Sequence, residues 1–172
     1  QWSQHQPTFP IYSAVTYSPI AGKVLLAAKE NNLVIADQLI YKALGHSLTF
    51  ALREISGDFL IPIPSRRSVA RSRGRQFIAA LAHQLSAETG LPAYENLEHT
   101  RRVRDQSSLD AKSRFHNLDG SMKSLNFLSG KAVVIDDLVT TGATLQEAVR
   151  ALRKRGIEVA AAVTACVAEP LR

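Results

Sequence analysis

The segment Val133-Val134-Ile135-Asp136-Asp137-Leu138-Val139-Thr140-Thr141-Gly142-Ala143-Thr144-Leu145 decides how this chain is read. Ala132 to Ile135 is a short, mostly β-branched run without polar alternation. Such a run predicts a strand covered on both faces, as in a parallel sheet. Two adjacent carboxylates follow at the strand's carboxyl end, the side on which open α/β sheets hold ligands. A loop of three threonines, a glycine and an alanine comes next, and a helix begins at once. Backbone N–H groups in such a loop and at the helix start lack intrahelical partners and carry partial positive charge. Gly142 permits close approach of a ligand or a positive φ. The threonine hydroxyls can donate to phosphate oxygens or cap the helix. An anion cradle beside paired acids suits a sugar phosphate. Its phosphate would sit on the loop, while Asp136 and Asp137 accept hydrogen bonds from ribose hydroxyls or hold a hydrated Mg²⁺.

Outward from this segment, strands and helices alternate. The helix after the loop, Leu145 to Arg155, carries Leu145, Ala148, Val149 and Leu152 on one side. Arg153, Lys154 and Arg155 fill its last turn and Gly156 takes the C′ position, so dipole and cap agree. Glu158 to Val167 reads as the closing strand. Upstream, the spacing predicts helices over Val24–Lys29, Ile35–Arg53 and Gln76–Glu88. Asp58 to Ile61 reads as a buried strand stopped by Pro62 and Pro64. Residues 1–19 read as an extended leading segment, and 20–172 as one domain with a small hood within 1–55. Glu95 to Ser124 is polar, and strongly basic between Arg101 and Arg114. The alternation implies an α/β domain with a mainly parallel sheet flanked by helices.

Composition agrees with a single domain. The chain has 172 residues, 45% hydrophobic and 21% charged, enough for a continuous core. Lys and Arg number 21 against 15 Asp and Glu, a net charge of +6 that favours an anionic partner. A single cysteine, Cys166, excludes an intramolecular disulfide framework and a cysteine-based zinc site, and fits a reducing cytoplasm. No apolar run is long enough to span a membrane, and Gln1–Pro7 lacks the order of a secretion signal. The five histidines show no metal-ligand spacing. There is no Walker-type G-x-x-x-x-G-K-[ST] loop and no dinucleotide fingerprint. A phosphoacceptor receiver domain also pairs aspartates at a strand end, but near its start, and Asp137 lies too late among 172 residues for that fold.

The 133–145 segment resembles the 5-phosphoribosyl-1-pyrophosphate (PRPP) signature of type I phosphoribosyltransferases. That resemblance implies the family's three-layer fold, with Asp136 and Asp137 on the ribose and Thr140, Thr141, Gly142, Ala143 and Thr144 around the 5′-phosphate. Asp58–Arg67 followed by Arg71-Ser72-Arg73-Gly74, and Gln106-x2-Leu109-x4-Arg114-x2-Asn117-x2-Gly120, are similar to ComF/GntX-like members. Tyr17, Pro19 and Lys29 match that family's amino-terminal region, so the likeness covers residues 17–167. By the same resemblance Ser65, Arg66 and Arg67 would bind pyrophosphate, and Arg71 and Arg73 would belong to a flexible loop that closes over the site. Mg²⁺ would be held through pyrophosphate, ribose and water, with Asp136 or Asp137 as its nearest protein oxygens, and no residue serves as a direct metal ligand.

Three departures narrow the reading. The four-cysteine zinc module of many ComF-like proteins is missing from this sequence. The family's Arg-Gly-Phe-Asn-Gln reads Arg73-Gly74-Arg75-Gln76-Phe77. Thr140 stands where purine-salvage members often carry an acid, which argues against a 6-oxopurine acceptor and leaves the catalytic group unassigned. Two functions are therefore expected from the resemblance. One is a Mg²⁺-dependent phosphoribosyltransferase that releases pyrophosphate. The other is a non-catalytic PRPP- or DNA-binding accessory of DNA uptake, whose partners would be single-stranded DNA and a DNA-translocating helicase. The basic residues Arg101, Arg102, Arg104, Lys112 and Arg114 suit either, because phosphate neutralisation does not distinguish pyrophosphate from nucleic acid.

Overall fold

Four parallel strands form the centre of the molecule in the order β1-β6-β5-β2: β1 Ile11–Thr16, β2 Phe59–Pro62, β5 Lys131–Val139 and β6 Glu158–Val167. The computed structural model describes residues 9–30, 33–65, 76–100, 118 and 120–168. Beyond β2 the chain adds a short bridge, with Leu60 N donating to Pro92 O at 2.8 Å and Tyr94 N to Leu60 O at 2.9 Å. A separate antiparallel ribbon pairs β3 (Leu97–His99) with β4 (Met122–Ser124). The helices are α1 (Pro19–Glu30), α2 (Val34–Glu54), α3 (Phe77–Thr89) and α4 (Ala143–Lys154).

Apolar residues account for this layering. Val133, Val134 and Ile135 of β5 and Ala161, Ala162 and Val163 of β6 are fully shielded, as expected of strands covered on both faces. Alternate residues enter opposite layers. Val134 and Ile61 pack with Leu145, Ala148 and Leu152 of α4 on one face. Val133, Ile135 and Leu60 pack with Ile40, Leu44 and Leu48 of α2 and with Phe77, Leu81 and Leu85 of α3 on the other. Each of these valine, leucine, isoleucine and phenylalanine side chains contributes ~1.5–3 kcal/mol. An exposed pair such as Lys131–Glu158, 3.5 Å apart, contributes ~0–1 kcal/mol. The layers are held by burial.

One buried charge also ties them. Glu147 of α4 is 4% exposed. Its Oε1 accepts Met122 N of β4 at 2.7 Å and Arg150 Nη2 at 2.9 Å, and its Oε2 accepts Arg150 Nε at 2.6 Å. Arg150 Nη2 also donates to Met122 O at 2.8 Å. Both main-chain groups of Met122 are thus bound to α4, and the ribbon is fastened to the helix that starts at the threonine loop.

Several boundaries differ from the sequence reading for physical reasons. The leading segment contains β1, an edge strand whose residues are half-buried or exposed and therefore leave little apolar pattern. Pro62 is the last residue of β2 rather than its stop. The polar stretch 95–124 holds β3 and β4, whose three residues each are too few to show alternation. Strand β5 runs through Val139, past both aspartates, because β6 continues beside it as far as the Val139–Val167 pair. Among the described residues no helix is long and apolar enough to cross a membrane.

Candidate functional site

The carboxyl edge of the sheet is stepped. Strand β2 ends at Pro62 opposite Ile135, and the last bond on that side is Ile63 N to Ile135 O at 2.9 Å. On its other side β5 remains paired with β6 to Val167. Asp136 to Val139 therefore form a ledge that keeps one neighbour after losing the other. Asp136 and Asp137 stand on this ledge, 9% and 4% exposed, with Thr164 opposite Asp136 in register.

The two acids differ in surroundings. Asp136 Oδ1 accepts Asp137 N at 2.8 Å. Burial raises the Asp136 carboxyl well above the usual carboxylate range, and the adjacent Asp137 charge pushes the same way, against the pull of Lys29. Asp137 Oδ2 instead meets the Lys29 ammonium, delivered by the last turn of α1. That contact is an ion pair rather than an aligned hydrogen bond, since Oδ2 has no donor in hydrogen-bond geometry among the described residues. Cys166, paired in register with Leu138, has its thiol pushed up by burial and by the Asp137 charge.

Thr140, Thr141 and Gly142 link β5 to α4. Gly142 has φ +75°, the left-handed region that disfavours side chains, and a Cβ there would meet nothing within 4 Å. The loop thus turns with an open front. Ala143 N is taken by Thr141 Oγ1 at 3.3 Å, and Gly142 O accepts Gln146 N at 2.9 Å. The amides of Thr140, Thr141, Gly142 and Thr144 make no hydrogen bond among the described residues. They remain available at the positive end of the α4 dipole.

The edge brings Ser65, just beyond β2, to the same side of the sheet as the acids and the threonine loop. Its amide is occupied, donating to Gln76 Oε1 at 3.0 Å. Arg66, Arg67, Arg71 and Arg73 lie outside the described residues, as do the basic residues from Arg101 to Arg114. The ends of that second segment are described: Thr100 N donates to Ser121 O at 2.8 Å and Thr100 Oγ1 to Gly120 O at 2.9 Å. A cavity of about 230 Å³ lies on the far side of β2, lined among others by Pro64, Ser65, Gln76, Glu98 and His99. It shares only Ser65 with the candidate site and contains neither aspartate nor any threonine of the loop, so the hydrogen-bonding geometry, not this hollow, marks that site.

Mg²⁺, expected from the resemblance, does not fit the acids as a directly bound ion. One oxygen of Asp137 is covered by Lys29, one of Asp136 is used by Asp137 N, and no cluster of three or more potential ligands exists among the described residues. Mg²⁺ needs only one or two protein carboxylate oxygens beside water and ligand oxygens, but here a cation already lies against one acid and repels it. Lys29 is the site residue that sequence reasoning did not assign. Its place in the last turn of an apolar helix is visible, but nothing local announces a partner 108 positions later.

A curated relative, Competence protein F of Haemophilus influenzae, is 31% identical over 106 residues, covering 59% of this chain and 46% of its own. The chain therefore spans about half the length of that relative. Among solved structures, Leishmania donovani UMP synthase aligns with 21% identity and a TM-score of 0.44, over 72% of this chain and 21% of its own. Adenine phosphoribosyltransferase from the same organism aligns with 12% identity and a TM-score of 0.44, over 80% and 55%. The sequence model of the phosphoribosyl transferase domain matches residues 37–170, a span that includes the ledge, the threonine loop and every strand but β1. The chain belongs to the phosphoribosyl transferase domain family.

Proposed function

We propose that the protein binds PRPP on the ledge and transfers its phosphoribosyl group to an acceptor, releasing pyrophosphate. The observation that carries this reading is the set of unspent amides around Gly142, set beside a buried acid pair at the open edge of a parallel sheet. The 5′-phosphate would lie on Thr140–Thr144. Asp136 and Asp137 would hold the ribose diol. Ser65, Arg66 and Arg67 would face the pyrophosphate, with Arg71 and Arg73 nearby. In the transfer, a lone pair of the acceptor forms a bond to C1′ as the C1′–O bond breaks, and the electron pair leaves on pyrophosphate. The protein's part is positioning and field, because the developing cation at C1′ needs orientation more than proton transfer. Any Mg²⁺ would arrive on the oxygens of PRPP itself.

Calorimetry with PRPP tests the site. Asp137→Asn and Thr141→Ala should each weaken binding by about 1–3 kcal/mol, the cost of a lost charge-assisted contact. Unchanged affinity in both would refute the assignment. Release of pyrophosphate across a panel of nucleobases then tests transfer. A second reading is favoured by the similarity to Competence protein F: a PRPP- or DNA-binding accessory without turnover, working beside single-stranded DNA and a helicase. PRPP binding with no pyrophosphate release on any base would select it, and salt-dependent single-strand affinity would add the DNA role.

A further inference from the structure

Two carboxylates side by side in a shielded position repel each other and repel any polyanion brought to them. This protein answers that repulsion with a lysine from a different layer. Leu25 and Ala28 are buried in the core beneath α1, and they fix the helix turn from which Lys29 extends to Asp137. The lysine side chain keeps 28% of its exposure while the carboxylate it meets keeps 6%. The cation thus closes the solvent side of the acid it neutralises.

We propose that Lys29 is the built-in counter-cation of the Asp136–Asp137 pair, shutting divalent metal ions out of the bare site and leaving it tolerant of a polyanionic ligand. The ammonium lies on Asp137 Oδ2 and a backbone amide holds Asp136 Oδ1, so a metal approaching the pair would meet a cation at contact distance. The Lys29 charge also acts on Asp136, opposing the effect of Asp137, so the one cation serves both acids. The inference rests on the ion pair and stands whether or not phosphoribosyl transfer is the activity.

The test uses the full chain and Mn²⁺ alone, with no sugar phosphate present. Mn²⁺ binding is followed by electron paramagnetic resonance at neutral pH, and circular dichroism reports the fold of every variant. The wild type should show no saturable site tighter than about millimolar, the weak end of protein oxygen sites. Lys29→Met and Lys29→Gln should gain a site, tightening Mn²⁺ binding by about tenfold or more as a like charge leaves contact distance. Adding Asp137→Asn to either should abolish the gain. Lys29→Arg, which keeps the charge, should behave as wild type. A wild-type site lost on Asp137→Asn would overturn the proposal, as would the absence of any gain in a folded Lys29→Gln. PRPP calorimetry is a separate measurement, so failure of the sugar-phosphate reading would not be mistaken for failure of this one.

Discussion

Removing either partner of the Glu147–Arg150 pair should harm the fold unequally, and the inequality follows from exposure. Glu147 keeps 3% of its side-chain exposure and Arg150 38%. In Glu147→Ala, Arg150 can turn to water, so its lost pairing costs ~0–1 kcal/mol. The Met122 amide, accepted by Glu147 at 2.7 Å, is left without an acceptor, at ~1–3 kcal/mol. The sum is about 1–4 kcal/mol. Glu147→Gln keeps the Oε1 acceptor and the volume, and should cost only about 1 kcal/mol. Arg150→Met leaves a carboxylate that cannot reach solvent, and should cost at least as much as Glu147→Ala, about 2–4 kcal/mol after allowance for Arg150's own exposure. Urea unfolding measures all three, and midpoint temperatures should fall by about 2–4 °C per kcal/mol for a chain of this size. Glu147→Ala and Glu147→Gln costing the same, or Arg150→Met costing under about 0.5 kcal/mol, would refute the argument that a buried charge fastens the ribbon to α4.

Three further outcomes can be measured directly. Gly142→Ala should cost about 1–2 kcal/mol of stability from its positive φ, with no clash, and should lose more than that in PRPP affinity because the methyl stands in the open front of the loop; equal losses would argue against the cradle. Asp136 holds a proton more tightly folded than unfolded, so its contribution to stability is complete below the ordinary carboxylate pKa and is lost as pH rises toward its folded value. Asp136→Asn keeps an acceptor for Asp137 N and should flatten that part of the pH–stability curve; parallel curves would contradict the shift. Cys166, 3% exposed with its thiol pushed up, should resist a thiol reagent in the native state and label fully on unfolding, whereas rapid native labelling would show that β6 is open there.

What the sequence disclosed, and what it hid, divides along a physical line. Residues that carry their own environment with them were readable: Val133–Ile135 declare a two-faced strand, and Leu145, Ala148, Val149 and Leu152 declare the face of α4. The Asp-Asp and Thr-Thr-Gly elements were readable because strand, loop and helix are consecutive. Features created by distant segments were not. β1 exists because β6 offers it a free edge, not because Ile11–Thr16 insists on being a strand. The continuation of β5 past the aspartates is set by β6, and Lys29 reaches Asp137 only after α1 has packed. Glu147 shows the same limit. Its i,i+3 spacing to Arg150 suggests a surface pair, and only the ribbon above it turns that pair into a buried tie.

The strand order has a bearing on synthesis. Strand β6, the latest in sequence of those described, sits between β1 and β5, so the earliest strand has no neighbour until the latest has been translated. A nascent polypeptide emerging from the ribosome must hold Ile11–Thr16 unpaired while every helix is made, and loop closure over that separation is slow. Until then the apolar edge of β5 is bare, and a chaperone that shields it would gain the most from this protein during translation.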